Sequence, residues 1–465
     1  MSEVINAENE VINAADVILG NVDDNSSLNF GDILYEAQKF ITHRYSKMIN
    51  KNMDSTELEQ LDSILRKWLA DNRYSVEGID SDELVVRLMA NMSGFGLLDK
   101  YMNRKDVEEI NVNGYDNVLV KYNTGEIKPS DEQFVSPQHA RNIVSRLLQR
   151  SGNILDEGTP TMVGNYDSRV RITALCPPVI DEARGVIASI RIVNPQKLEF
   201  DDFIKKGTAT KNQLLLMMTM IRYGVSICIA GSTGSGKTTF MSWLLSTIPN
   251  NKRLYTVENN TREFDLVKRD ADGRVVNNVV HTVTNVQSKT DSDRLLEIGL
   301  TMDPDIICMA EMKGSEAFAA QEAGRTGHTV ITTIHANGCE ATYMRMVTLC
   351  QLATTMNEKT LYSLVTEAYP IVCFFKQLED NSRRMMEMTE CIAKSDGSRE
   401  IRTLYRFKIS KVSRDPITGK TTIEGKYVKV NNISESLQKR LLENGLPLTE
   451  LSKFITVSEK KGGAQ

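Results

Sequence analysis

The chain has 465 residues, more than a single hydrophobic core usually spans, so two to four domains are expected. A composition of 41% hydrophobic and 25% charged residues, with 11 Pro and 28 Gly, is that of an ordinary globular protein and excludes collagen-like, disordered and repeat classes. The formal net charge of −5 argues against a dedicated nucleic-acid binder, which would carry a basic surplus to neutralise phosphates; no direct nucleic-acid contact is expected.

Met1 to Glu10 is polar and acidic, unlike a secretory signal, and residues 1–31 are expected to form a mobile N-terminus. Residues 32–95 follow as a helical bundle. Asp54 with Glu57 and Asp80 with Glu83 are capping boxes, each opening an apolar stripe at helical spacing: Leu58, Leu61, Leu65 and Trp68, then Leu84, Leu88 and Met92. Over residues 96–195 the pattern changes to short strands broken by Asn113-Gly114 and Thr124-Gly125, a helix from Pro137 to Arg150, and strands at 169–173 and 186–193. This is an α/β domain. Residues 196–208, charged and containing Gly207, are expected to be a linker.

Residues 209–384 alternate apolar strands with helices, the pattern of a mostly parallel sheet covered by helices. The longest apolar stretch, Leu214 to Ala230, is interrupted by Arg222 and Gly224 and is read as a helix and a buried strand; no membrane span is expected. Residues 385–465 form a β-rich C-terminal region, with a hairpin signal at Asp415-Pro416-Ile417-Thr418-Gly419 and a last helix from Ser434 to Asn444. Seven cysteines without CxxC or zinc-like spacing fit reduced thiols in the cytoplasm.

The strongest local signal is Gly231-Ser232-Thr233-Gly234-Ser235-Gly236-Lys237-Thr238, continued by Thr239, between the apolar run Val225–Ala230 and a helical segment from Phe240. Its glycines let backbone N–H groups converge on phosphate at a helix N-terminus. Lys237 would reach the β- and γ-phosphates of ATP and Thr238 would ligate Mg²⁺. Hydrolysis needs an acid as well. Asp305 to Glu311 is a short apolar run ending in a carboxylate, expected on the strand beside the loop's own, where Glu311 would polarise the attacking water.

Four elements in this order resemble the traffic ATPases of type II and type IV secretion: the Gly231–Thr239 loop, Tyr255-Thr256-Val257-Glu258-Asn259 (the Asp box), Asp303–Glu311 (Walker B), and Thr326-Gly327-His328 through Thr333-Ile334-His335-Ala336-Asn337 (the His box). Gly94–Leu98 and Val107–Gly114 are similar to the N-terminal signature of the CpaF-like and conjugal-transfer branch, which includes Tad pilus motors. The resemblance covers about residues 90–455. It implies a RecA-like P-loop NTPase core, an N-terminal PAS-like α/β domain, and ATPase activity with Mg²⁺. It also implies a homo-hexamer docked on a membrane platform protein, cytoplasmic and peripheral at the inner face of the membrane. By the same resemblance Glu258 and Glu311 are the acidic pair, His328 and His335 sense the nucleotide, and Arg169 and Arg191 reach the γ-phosphate. The two domains would then rotate about the linker when that phosphate leaves. The chain departs from the family pattern at Asn259, usually an aspartate, and at Lys313, usually an arginine. Two other readings stay open: a nucleotide-binding scaffold with little hydrolysis, and a nucleic-acid translocase. Pilin, DNA and protein cargoes are not distinguished.

Overall fold

The computed structural model describes residues 28–45, 55–167, 169–192, 198–259, 262–285 and 288–455. The expected mobile N-terminus, up to residue 27, and the capping residue Asp54 lie outside them. Three helices, Phe30–Arg44, Ser55–Asn72 and Ser81–Met92, bury the predicted stripes against one another around Ile33, Ile41, Leu61, Leu65, Leu84 and Leu88. The first begins within the stretch assigned to the N-terminus, because the Asn29 side chain accepts from Asp32 N at 3.0 Å and fixes the start there. Asp80 caps the third through Glu83 N at 2.8 Å. The bundle is fastened to the α/β domain by Arg146, which donates to the carbonyls of Met92 and Asn91 at 2.7 and 3.0 Å.

That domain is built on a six-stranded sheet, antiparallel throughout. In chain order its strands are β1 (Val107–Val112), β2 (Val118–Tyr122), β3 (Ile127–Pro129), β4 (Thr161–Asn165), β5 (Val170–Leu175) and β6 (Ile187–Ile192), arranged β3-β2-β1-β6-β5-β4. Alternation along the strands sends Ile110, Val120, Ile172 and Ile190 into a core shared with Ile143, Val144 and Leu147 of the helix Pro137–Gln149. The opposite face carries Glu109, Arg171 and Arg191, which the register sets side by side.

His139, in the first turn of that helix, accepts from Val135 N through Nδ1 at 3.2 Å, so its proton is on Nε2. Burial, aided by the charge of Arg146, pushes its pKa down to about 4. As pH falls below about 6.5 the unfolded chain takes up a proton that the folded ring refuses. The stability this group supplies is complete above 6.5 and lost as pH falls towards 4, about 2–3 kcal/mol across the window. Hydrogen exchange of the 137–149 helix should therefore accelerate between pH 7 and 5, once corrected for intrinsic rates, and His139→Gln should flatten that dependence. An unchanged slope in the variant would refute the assignment.

The second sheet has nine strands: β7 (Ile227–Gly231), β8 (Leu254–Glu258), β9 (Val279–Val283), β10 (Ile306–Met312), β11 (Thr329–Ile334), β12 (Ile371–Gln377), β13 (Arg383–Ala393), β14 (Arg399–Arg414) and β15 (Thr421–Lys429). Their order is β15-β14-β13-β12-β7-β11-β10-β8-β9, parallel from β9 to β12 and antiparallel from β13 onward. Every residue of β7, β8 and β11 is buried, as parallel strands covered on both faces require. One face packs the helices Lys211–Arg222, Lys237–Ser246 and Glu435–Glu443; the other packs Ser292–Leu300, Glu316–Arg325, Cys339–Cys350 and Glu358–Ala368. All seven cysteines are buried and unpaired.

Two boundaries differ from the sequence expectation. The β-rich C-terminal region is no separate body: residue 385 falls inside β13, which continues the large sheet, and Leu437, Leu441, Leu451 and Phe454 enter the same core as Phe240 and Leu244. The linker is not a bare connector either. Residues 196 and 197 lie outside the described residues, but Phe200–Lys205 is a helix closed by a Glu199/Asp202 capping box, and Phe203 packs against Phe240 and Trp243 at ring separations of 5.4 and 5.0 Å. Just beyond it, Arg384 donates to the Lys206 carbonyl, and the Tyr427 hydroxyl donates to the carbonyls of Gly207, at 3.1 Å, and Thr208. No helix among the described residues is long and apolar enough to cross a membrane.

Candidate active site

β7 ends at Gly231, where the chain must turn sharply beneath β12. A Cβ on Gly231 would stand 2.3 Å from the Phe375 carbonyl oxygen, so only glycine fits. Gly236, at φ +91°, takes the left-handed conformation that opens the helix Lys237–Ser246. Between them Ser232 and Thr233 are exposed, Gly234 half-buried and Ser235 buried; after them Thr238 is half-buried and Thr239 exposed. Ser235 Oγ donates to the Ser232 carbonyl at 2.7 Å, and Lys237 Nζ donates to the carbonyls of Gly231 and Ser232 at 2.8 and 2.9 Å. The loop is braced from inside, and its amides line the N-terminus of the helix. Burial pushes the Lys237 ammonium down to about 8; Glu311 opposes the shift and Arg191 adds to it.

Glu311 is not on the strand beside β7. β11 lies between β7 and β10, the consequence of the crossover order of the sheet. Two strand spacings make a lateral offset of only about 10 Å. A bulge then re-aims the side chain: Met309 pairs with Thr332 but Met312 with Ile334, so β10 carries one extra residue at 310–311. His335, which follows the end of β11, is exposed beside Glu311. Its Nε2 lies 3.0 Å from Glu311 Oε1. Burial and the neighbouring Lys237 charge lower the His335 pKa against the opposing pull of Glu311, and Nε2–H donates to the carboxylate.

Glu258, the last residue of β8, does not share this space. It is wholly buried and accepts from Thr256 Oγ1 at 2.7 Å, His281 Nδ1 at 2.9 Å, Phe264 N at 3.0 Å and Glu263 N. A carboxylate with four donors is a structural anchor in this conformation. Glu263 is within electrostatic reach of Glu311 and Arg191. Burial raises its pKa; Arg191 pulls it back, Glu311 and Glu258 push it up, and Arg171 pulls it down. Asn259 has a role no aspartate could fill, since its amide donates to the Glu311 carbonyl at 3.3 Å while its oxygen accepts from Ser292 Oγ at 3.0 Å. Lys313 is exposed; its backbone N donates to Glu316 at 2.7 Å.

Of the two expected arginines, Arg191 is within electrostatic reach of both Lys237 and Glu263. Arg169 is exposed and stands 3.7 Å from Asp167. Arg171, two residues along and so on the same face, is paired with Arg191 in the ladder and reaches Glu263 electrostatically. His328 precedes β11, at the end of a six-residue strand opposite His335, about 20 Å away. Its Nδ1 is buried without a partner among the described residues.

Sequence reasoning missed three residues. Glu263 sits in an irregular loop with no spacing to single it out. Arg171 could have been proposed from its period-two relation to Arg169. Arg383, the first residue of β13, had no signal at all. Its Nε donates to the Gly234 carbonyl at 2.9 Å, and its Nη2 lies 3.2 Å from Glu108 of β1, so one guanidinium joins the loop to the N-terminal sheet.

The donor set fits a nucleoside triphosphate with Mg²⁺. Amides at a helix N-terminus, Lys237 and Arg191 offer positive charge for phosphates, while Thr238 supplies a hydroxyl and Glu311 and Glu263 supply carboxylates. Among the described residues no cluster of three or more His, Cys, Asp or Glu side chains could hold a metal ion.

Residues 159–446 match the profile of the type II/IV secretion system protein family. A relative from Mycobacterium tuberculosis named for conjugal transfer is 24% identical over 312 residues, which span 65% of this chain and 85% of that protein. The type IV secretion system protein PtlH of Bordetella pertussis is 34% identical over 161 residues, 33% of this chain and 45% of PtlH. Among solved structures, the Legionella pneumophila ATPase DotB superposes with a TM-score of 0.46 at 14% identity, over 77% of this chain and 85% of that one.

Proposed function

The chain belongs to the type II/IV secretion system protein family, and from that premise we propose that it hydrolyses ATP as the motor of a secretion, conjugation or pilus machine. The observation that supports the reading is His335 Nε2 3.0 Å from Glu311 Oε1, with Glu311 and, from the other domain, Arg191 within electrostatic reach of Lys237. Such a set can hold a triphosphate, direct a water and register the loss of charge when phosphate leaves.

In the proposed reaction Lys237 and the loop amides hold the β- and γ-phosphates. Mg²⁺, when bound through Thr238, neutralises phosphate charge. Glu311, fixed by His335, orients a water in line with the γ-phosphorus and accepts its proton. The new P–O bond forms as the bond to the β-phosphate breaks, yielding ADP and phosphate. Arg191, with Arg171 beside it, pairs with the γ-phosphate oxygens through planar forks. Once that phosphate departs the N-terminal sheet is released to move as a rigid body. We further propose that the working form is a homo-hexamer and that a membrane platform protein receives the motion.

Steady-state phosphate release by the purified chain tests this. Turnover should exceed that of a Lys237→Ala control by at least about a hundredfold. Turnover equal to the control would favour a nucleotide-binding scaffold.

A further inference from the structure

β14 and β15 run past the body of the large sheet as a two-stranded ribbon closed by the turn 415–420, and β15 is the sheet's edge. Residues 399–429 hold nine Lys or Arg against three Asp or Glu, a local surplus of six positive charges in a chain whose net charge is −5. Some of these charges are spent within the fold: Arg406 pairs with Glu387 at 2.6 Å, Arg402 with Glu400 at 3.5 Å and Lys411 with Glu424 at 3.8 Å, and Lys429 donates to the Phe454 carbonyl. Others are not. Lys408 and Lys426 are exposed and stand directly opposite each other in the ladder. Neither has an acidic partner within ion-pair range among the described residues. Like charges set directly opposite destabilise a ribbon, so the arrangement favours an anion from outside the chain.

The apex adds a different chemistry. Ile417 is 93% exposed, flanked by Arg414 and Lys420, and Val412 and Ile409 behind it are 61% and 45% exposed. Lysines alone would serve to blunt an edge strand against aggregation, but an aliphatic side chain held out at the tip works against that purpose. A polar hollow beside the turn is lined by Ser413, Arg414, Thr418, Lys420 and Thr422 together with Asp415. Asp415 Oδ1 accepts from the N–H groups of Ile417 and Thr418 at 2.8 Å, so this one carboxylate is tied into the turn between the cations Arg414 and Lys420. The aromatic rings of the ribbon point inward instead: Phe407 is buried against Tyr427 at a ring separation of 5.0 Å. A single-stranded nucleic acid would need such rings outside, to stack its bases.

We propose that this ribbon is a lipid-contact site, docking tip-first on an anionic membrane surface, with Ile417 entering the interfacial layer and Arg414 and Lys420 meeting lipid phosphates. An apolar wedge ringed by cations is the pattern that anionic bilayers attract. The site is distinct from the nucleotide cleft and does not depend on hydrolysis, so it stands or falls separately from the motor reading.

Co-sedimentation of the full chain with vesicles tests it. Vesicles of phosphatidylglycerol and phosphatidylethanolamine should bind the protein at about 0.1 M salt and release it as salt rises, while phosphatidylcholine vesicles should bind at least about tenfold less. Ile417→Asp, and separately the pair Arg414→Glu with Lys420→Glu, should each weaken binding by more than about tenfold. Both sites are exposed, and unchanged affinity for a non-hydrolysable ATP analogue would show that each variant is folded. Equal partition of variant and parent, equal binding to neutral vesicles, or absence of binding to anionic vesicles would overturn the proposal. So would binding of DNA at the same salt when vesicles are ignored.

Discussion

Glu311→Gln is expected to lower ATP turnover by about a thousandfold while nucleotide affinity stays within about threefold of the parent. The substitution keeps the shape of the side chain, and the amide oxygen of glutamine can still accept the His335 Nε2–H bond that holds residue 311 in place at 3.0 Å. What disappears is the negative charge that polarises water. The same change withdraws an anion that opposes the fall of the Lys237 pKa, but phosphate oxygens replace that influence when nucleotide is bound. The variant should therefore trap ATP. Phosphate release gives kcat and a fluorescent ATP analogue gives Kd; a variant that retains a tenth of parental turnover would remove Glu311 from the catalytic role.

The second large effect separates arginines that the sequence treats alike. Arg191→Ala should reduce kcat by about a hundredfold or more, because an arginine that meets developing charge on a transferring phosphoryl group is worth ~10³ or above. Arg171→Ala should follow it at a smaller magnitude. Arg169→Ala should change kcat by less than about threefold, since that side chain is exposed beside Asp167. Lysine should rescue Arg191 only in part, because an ammonium cannot form the bidentate fork. If Arg169→Ala proves the crippling change and Arg191→Ala the mild one, the N-terminal sheet must meet the nucleotide in a different register from the one described.

The local signals in the sequence were legible where chemistry is carried by consecutive residues. The Gly231–Thr239 loop needs a strand, a turn that only glycine can make and a helix, all contiguous, and the structure supplies each. The helix cap at Asp80 was equally local. What escaped was decided by pairing. Glu258 looks catalytic in its motif yet spends its carboxylate on four donors, three of them from Glu263, Phe264 and His281 further along the chain. The order of β7, β11 and β10 depends on crossovers that no short window contains. Arg383 lies 149 residues from the carbonyl it holds. Alternation placed Arg169 and Arg171 on one face, but the choice between them belongs to the partner domain.

The clasp of Arg384 and Tyr427 on residues 206–208, together with Phe203 sunk among aromatic rings, enrols the helix Phe200–Lys205 in the ATPase body. Any swing of the N-terminal domain therefore has to leave that helix where it is. Tyr427 itself belongs to the ribbon, so whatever grips that arm also pulls on the fulcrum.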